Sequence, residues 1–356
     1  MPSPVVRASE PAAAEPVAPA GTVPPANPAA AAATKGVPLR VAEGETSASA
    51  PVPRAVWDLC GIGRLPASPG TTVYDELPPH LGAIAVAEAR EKLLAALRRG
   101  DARARVAAAS LGTLSDGLDD AVARTALQRA GRDAVAVRWA GGRCLSDECR
   151  REAAERWAQL EPGNGVPQLL RMTGAPPRDE ESLRALWAAQ RFQVHWGVLA
   201  ETVRKAMPPD VPPYLQPDLL IQAMNVDAAL LDQGFRTATA LCQPAPPAGS
   251  ERQRGCTDLG RVMNERGDTL IAAMVGVRLR EFGGLDPAEA EARRKTLREL
   301  QASSSLPFDA EQPMSCESAR RTQRWIEGLA RDGEVGALRA AAAASSPYSS
   351  TPPQFR

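Results

Sequence analysis

Apolar residues recur at helical spacing through most of this chain, and this pattern constrains the fold more than any other feature. Between Leu81 and Leu97 they follow the three-to-four spacing of an amphipathic helix that ends at Arg98-Arg99-Gly100. Period-two alternation, the pattern of a half-buried strand, occurs only in residues 133–139, a short segment that equally fits an extended loop. The sequence therefore predicts an all-α fold.

The same spacing, with its capping residues, predicts the further helices of the fold. They cover residues 115–131, 146–160, 166–172, 180–207, 218–241, 256–265, 268–282, 286–302, 315–330 and 334–344.

Short junctions join several of these helices. Gly100-Asp101 and Gly267-Asp268 each place a permissive glycine at the end of one helix and a capping acid at the start of the next. We expect Gly100 to end its helix in the left-handed conformation. The run 286–289 (DPAE) has the residues of a capping box, with proline at the first helical position. Connections this short fold consecutive helices back against each other as antiparallel hairpins.

Residues 157–164 (WAQLEPGN) look like a junction between tetratricopeptide-like hairpins, where proline blocks one helix and asparagine caps the next. A regular array would repeat this junction about 34 residues away, and no second copy is present. We therefore predict an irregular, tetratricopeptide-like stack of antiparallel helical hairpins.

Composition divides the chain into three parts. Residues 1–54 hold eleven of the 33 prolines and much alanine, and they bury too little apolar surface to order. We predict a disordered Pro/Ala-rich tether over 1–54, a single α-helical domain over 55–344 and a disordered tail over 345–356. No export signal is recognisable near Met1, although such tethers are typical of exported bacterial proteins, and an anchor upstream of this chain stays open.

Charge and hydropathy limit the partners. Lys plus Arg and Asp plus Glu are each 42, so no global field attracts nucleic acid. The longest apolar stretch, residues 269–277, is half of the roughly 18 residues that span a bilayer, so we predict no transmembrane span in this chain. A protein or peptide partner is the expectation that remains, and oligomeric state is open.

Six cysteines are the sharpest chemical feature. Locality pairs Cys144 with Cys149 and Cys242 with Cys256, which leaves Cys60 and Cys316 to tie the domain ends together. Buried free thiols are the alternative. Metal binding or redox catalysis would need cysteine knuckles or a C-x-x-C motif, and the chain has neither, so we expect no metal and no cofactor. Disulfides favour an oxidising compartment, which means periplasmic or secreted, with a cytoplasmic location as the alternative.

The sequence contains no catalytic signature, and enzymatic activity stays open. His195 is predicted to share a helix stripe with Phe192 and Trp196, which favours a core role over general-base catalysis. Asp227 falls in the apolar register of its helix, and pairing with an arginine is the favoured interpretation.

Four segments together resemble a known group. They are the Cys144-x4-Cys149 pair and residues 157–167, 191–196 and 266–271. The combination resembles a loose group of uncharacterised, often exported, proteobacterial helical-hairpin proteins with paired cysteines. The resemblance implies a helical-hairpin domain and supplies no activity.

Two classes of function compete. The first is a noncatalytic helical interaction or scaffold protein of the bacterial cell envelope. The second is an envelope hydrolase with an unrecognised carboxylate site that would use Asp227 or Glu201. A cytosolic adaptor is a third hypothesis, and it requires free thiols.

Overall fold

The computed structural model describes residues 56–68, 71–112, 117–172, 180–229, 232–303 and 312–345. In chain order the described elements are β1 (Val56–Leu59), β2 (Gly63–Pro66), α1 (Val73–Glu76), α2 (Ala83–Arg99), α3 (Ala102–Leu111), α4 (Asp120–Ala130), α5 (Ala134–Gly141), α6 (Asp147–Leu160), α7 (Gly165–Arg171), α8 (Glu180–Trp187), α9 (Val198–Ala206), α10 (Gln216–Ala229), α11 (Asp232–Cys242), α12 (Glu251–Arg266), α13 (Leu270–Phe282), α14 (Pro287–Ser303) and α15 (Cys316–Ser345). A 3-10 turn at Pro213–Leu215 precedes α10. The fold is all-α, as predicted.

The predicted tether and nearly all of the predicted tail, residues 346–356, lie outside the described residues. Within the described ranges, no helix is long and apolar enough to cross a membrane.

The described chain begins with a β-hairpin that sequence patterning missed. The strands β1 and β2 pair antiparallel, with Val56 opposite Pro66 and Leu59 opposite Gly63. Their turn places Gly61 and Gly63 at φ 85° and 115°, a conformation that glycine adopts readily. Strands of four residues are too short for alternation to be recognised in the sequence.

Contacts across most of the chain fasten this hairpin to the start of α15. The Asp58 amide donates to the side chain of Gln312 at 2.9 Å, and the Cys60 amide donates to the Met314 carbonyl at 3.0 Å. A disulfide joins Cys60 to Cys316, 256 positions later. The start of the described chain is therefore held to the start of its last helix.

Helix junctions form where the sequence places them, although the glycines do not adopt the predicted conformation. Gly100 and Gly267 have φ of −73° and −76°, outside the left-handed region. Asp101 caps α3 as expected, accepting from the Ala104 amide at 2.8 Å. Asp286 caps α14, accepting from the amides of residues 288 and 289. The left-handed exit expected at Gly100 was wrong, and so was the cap expected at Asp268, because Thr269 caps α13. The caps expected at Asp101 and Asp286 were right.

The hairpin of α12 and α13 is packed most closely. An added Cβ at Gly260 would lie 2.7 Å from the Gly276 carbonyl oxygen, and one at Gly276 would lie 2.5 Å from the Asn264 amide nitrogen. These two glycines therefore allow the backbones of the two helices to touch.

Several predicted boundaries need correction. The predicted helix 180–207 is two helices, α8 and α9, separated by ten non-helical residues. The predicted helix 218–241 is α10 and α11, with residues 230 and 231 outside the described part. The start predicted at residues 115 and 116 lies outside the described residues, and residues 117–119 are not helical. Helix α4 begins at Asp120, where the Asp119 side chain accepts from the amides of residues 121 and 122. Gly333, at φ 70°, interrupts α15 where two helices were predicted.

Residues 133–139 are also helical, not extended. The Asp133 side chain accepts from the amides of Val135 and Ala136 and so starts α5. Positions 135–140 are all buried, so this helix has no polar face that would reveal its period.

Large side chains fill the main core. Trp139, Trp157, Tyr214 and Phe192 are each at most 2% exposed. A smaller apolar cluster joins α13, α14 and α15.

The three disulfides should differ in their contribution to stability. Replacing Cys60 and Cys316 with serine is expected to lower the free energy of unfolding by about 2–5 kcal/mol, because the loop that they close is the longest. The same change at Cys144 and Cys149 should cost about 2 kcal/mol or less, since that loop is short. Urea unfolding followed by tryptophan fluorescence measures both variants, and the reverse ranking would contradict the assignment.

Candidate functional site

Residues 188–197, here called the buried connection, link α8 to α9, and positions 189, 192, 194 and 197 are buried whereas 188 and 190 are exposed. Parallel bridges pair Asn164 with Arg191 and Phe192 with Gly267. The Gly165 amide donates to the Arg191 carbonyl at 3.0 Å, so the connection lies beside the start of α7. His195, predicted to lie on a helix, instead has φ 59° within this connection, and its expected helix stripe with Phe192 was wrong.

Three side chains accept the backbone amides that the buried connection cannot pair within itself. The Asn164 side chain accepts from the amide of residue 193 at 3.0 Å. Asp268 accepts from the amides of residues 194 and 195 at 2.9 and 2.7 Å. Asp227 accepts from the Gly197 amide at 2.8 Å. These four amides have no backbone acceptor in a helix or bridge, and such partners are needed because an unpaired buried amide is costly.

Asp268 therefore has a different role from the predicted one. The cap of α13 is Thr269, whose hydroxyl accepts from the Ala272 amide at 3.2 Å. The Asp268 carboxylate faces the buried connection and binds it. Loss of hydration raises the pKa of Asp268, while its two amide donors and nearby His195 act in the opposite direction.

Asp227 forms a buried ion pair with Arg138. Its side chain is 0% exposed and that of Arg138 is 3% exposed. Arg138 donates one hydrogen bond to the Asp227 carboxylate and a second, at 3.1 Å, to the Asp227 backbone carbonyl. Pairing with an arginine, the favoured interpretation from the sequence, is confirmed. The pair joins α5 to α10.

A second polar cluster surrounds Glu161, at the end of α6. Its carboxylate accepts from Trp157 Nε1 at 2.8 Å and Asn164 Nδ2 at 2.9 Å, and it lies 3.0 Å from His195 Nε2. Burial raises the pKa of Glu161, but the hydrogen bonds from His195, Asn164 and Trp157 outweigh it and lower the pKa to about 2. The anion is thus held in place beside the buried connection.

A cavity of about 360 Å³ lies beside the buried connection and Arg138. Its volume is typical of small-molecule pockets. The apolar part of the lining includes four aromatic side chains, and it comes from several helices and the buried connection: Trp139, Trp157, Phe192 and Phe235, with aliphatic residues such as Val166 and Leu170. The buried connection therefore forms one wall of the cavity.

The polar part of the lining is dominated by arginine. Arg138, Arg143, Arg150 and Arg151 line the cavity, and Asp147 is the only carboxylate in the described lining. Lining residues therefore carry more positive than negative charge.

Most of these arginines are fixed by protein groups. Arg138 is paired with Asp227, as described above. Arg143 donates to the carbonyls of residues 109 and 117. Arg150 lies 3.4 Å from Asp147 and donates to the carbonyl of residue 145. Arg151, in contrast, has no hydrogen bond or ion pair with the residues that the structure describes.

All six cysteines are in disulfides. The pairs are Cys60–Cys316, Cys144–Cys149 and Cys242–Cys256, the same pairs that locality assigns, with Cα–Cα distances of 4.5, 5.4 and 5.9 Å. Cys144 lines the cavity, whereas the other pairs lie away from it.

One cluster of potential metal ligands occurs in the described residues, at Asp120, Cys144 and Cys149. Both sulfurs are consumed by the disulfide, and disulfide sulfur is not a thiolate ligand. The Asp120 carboxylate accepts from the amides of residues 145 and 146 at 2.7 and 3.0 Å. The cluster fixes the turn before α6.

The second hydrolase candidate, Glu201, lies on α9 and does not line the cavity. Its carboxylate pairs with Arg204 at 2.7 Å and Lys205 at 3.3 Å. Burial raises its pKa, but these two cations outweigh burial and lower it. The structure therefore does not bring Glu201 and Asp227 together at this site.

Sequence reasoning missed the cavity and its arginines. Arginine is common along the whole chain, so the four lining positions have no distinctive signal. The chain matches no family model, and neither a curated protein nor a solved structure is similar to it.

The buried ion pair of Arg138 and Asp227 should be important for stability. Asp227→Asn is expected to lower the free energy of unfolding by about 3–5 kcal/mol, because the Arg138 charge stays buried without a counterion. Urea unfolding followed by tryptophan fluorescence provides the measurement. Asp258→Asn is the control, since its pair with Arg261 is exposed and should be worth less than about 1 kcal/mol. Equal losses in the two variants would refute the role of the buried pair.

Glu161 should make stability depend on acid pH. Its folded pKa lies below its ordinary value of 4.5, so its contribution is present above that value and is lost as pH falls toward about 2. Urea unfolding at pH 5 and at pH 3 gives the slope of the free energy of unfolding against pH. This slope is expected to be smaller in Glu161→Gln than in the wild type. His195→Gln removes one of the groups that hold the anion and should give an intermediate slope. The same slope in all three proteins would rule out this linkage.

Proposed function

We propose that this protein is a noncatalytic helical interaction protein of the bacterial cell envelope, and that the cavity is its binding site. The cavity is the observation that carries the proposal. It combines aromatic walls with a few polar groups, the usual composition of a site that binds and orients a small ligand or a short partner segment.

The state of the carboxylates favours binding over hydrolysis. General acid or base catalysis requires a group that can reach the substrate. Asp227 is fully buried and accepts from Arg138 and from the Gly197 amide. Glu201 is held by Arg204 and Lys205 and lies outside the cavity lining. The envelope hydrolase therefore remains the weaker alternative.

The disulfides support an oxidising compartment, the periplasm or the exterior. Stable disulfides are rare in the cytosol, where thiols are kept reduced. All six cysteines are paired, and the Cys242–Cys256 pair brackets the loop between α11 and α12. A cytosolic adaptor is the competing hypothesis, and it requires these cysteines to be free thiols.

Counting thiols tests the proposed compartment. We expect protein isolated from its native host under thiol-blocking conditions to show no alkylated cysteine before reduction and six after it, measured by mass spectrometry. Six alkylated cysteines without reductant would contradict an envelope location and favour the cytosolic adaptor.

Plugging the cavity tests the proposed binding site. Gly234 lines the cavity, and an added Cβ there would meet Leu170 and Leu169 at ordinary distances of 3.8 and 4.0 Å. Gly234→Ala should therefore be tolerated, whereas Gly234→Leu adds carbons that compete for the cavity. Native mass spectrometry of protein from its own host should show a bound small molecule or peptide in the wild type and in Gly234→Ala. The bound mass should be lost in Gly234→Leu, and an identical spectrum for all three would count against the site.

A further inference from the structure

We infer that the cavity binds an apolar monocarboxylate, a small molecule with one carboxylate group on an aliphatic or aromatic body. This ligand class rests on the proposed function and makes it specific. Two features of the lining support the assignment: its apolar walls and its charge.

The walls favour an apolar body. Trp157, Phe192 and Phe235 contribute ring surfaces, and Val166 and Leu170 add aliphatic surface. Transfer of an apolar group from water to such walls is favourable. A ligand with several charged groups would lose hydration against these walls without enough polar partners to replace it.

The charge of the lining favours an anion. The described lining contains four arginines and one carboxylate, that of Asp147. Three of the arginines already bind protein groups, while Arg151 has no hydrogen bond or ion pair with the part of the chain that the structure describes. A guanidinium group binds a carboxylate through two parallel hydrogen bonds that the opposite charges strengthen, and a cationic or neutral ligand does not supply that negative charge. Arg151 is therefore the residue that we assign to the ligand carboxylate.

Isothermal titration calorimetry with octanoate and octanamide tests the inference. The two ligands have the same alkyl chain, and only octanoate is charged. The wild type should bind octanoate about tenfold more tightly, since one charge-assisted interaction is added. 3-Phenylpropionate serves as the aromatic carboxylate. Failure of both carboxylates to bind would overturn the assignment.

A matched pair of arginine variants tests the contact. Arg151→Gln should bind octanoate about tenfold more weakly and octanamide unchanged. Arg129→Gln makes the same charge change at an exposed position of α4, outside the lining, and should keep the wild-type preference for octanoate over octanamide. Equal effects of the two variants would mean that Arg151 does not bind the carboxylate, and would overturn the inference.

The cavity variants separate this inference from the proposed function. Gly234→Leu should weaken octanoate and octanamide alike, whereas Gly234→Ala should bind both. If Gly234→Leu abolishes binding of both ligands but the wild type does not prefer octanoate, the ligand class is wrong and the binding site stands. If Gly234→Leu changes neither ligand, both proposals fail. Tighter binding of a peptide with a C-terminal leucine than of octanoate would overturn the small-molecule assignment.

Discussion

The hydrogen bonds that fasten the buried connection are the interaction on which the rest of this structure depends. An extended segment inside a helical protein has no ladder of its own, so its amides must find other acceptors. Asn164, Asp227 and Asp268 supply them from the start of α7, from α10 and from the residue before the cap of α13. Each acceptor belongs to a different helix or helix junction. The buried connection therefore fixes the positions of three helices that are far apart in sequence.

The cavity follows from the same arrangement. Phe192 and Val194 of the buried connection line the cavity, and so does Arg138, which the Asp227 carboxylate holds. Side chains of an extended segment alternate between its two sides, so the segment presents apolar groups to the cavity at every second position. The residue between them is Gln193, whose backbone amide donates to the Asn164 side chain. The residues that fix the buried connection thus also shape the cavity. A change that displaces the buried connection should therefore change the cavity as well.

Local sequence signals predicted much of this fold, but contacts between residues distant in sequence were missed. Capping acids such as Asp101 and Asp286 marked helix starts correctly, because a cap acts within one turn. The buried connection was taken for helix because Phe192, Trp196 and Leu199 have helical spacing. Its true conformation depends on Asp268, more than 70 positions later, which no local pattern reveals. For the site, the buried charge at Asp227 was predictable from its register. Its partner Arg138 was not, because α5 is buried on all sides.

The way in which the lining is supported bears on how the site works. Arg138 and Arg143 bind a buried carboxylate and backbone carbonyls, and the Cys144–Cys149 disulfide fixes the turn at the start of α6. A cavity whose walls are held in this way is formed before a ligand arrives, so little conformational entropy is lost from the walls on binding. Arg151 is different, because a long side chain without a partner among the described residues still has its rotamer freedom. Shape selection should therefore come from rigid walls, and charge selection from one adaptable guanidinium group. On that division, a change in the apolar walls should alter selection by size, and a change at Arg151 should alter selection by charge.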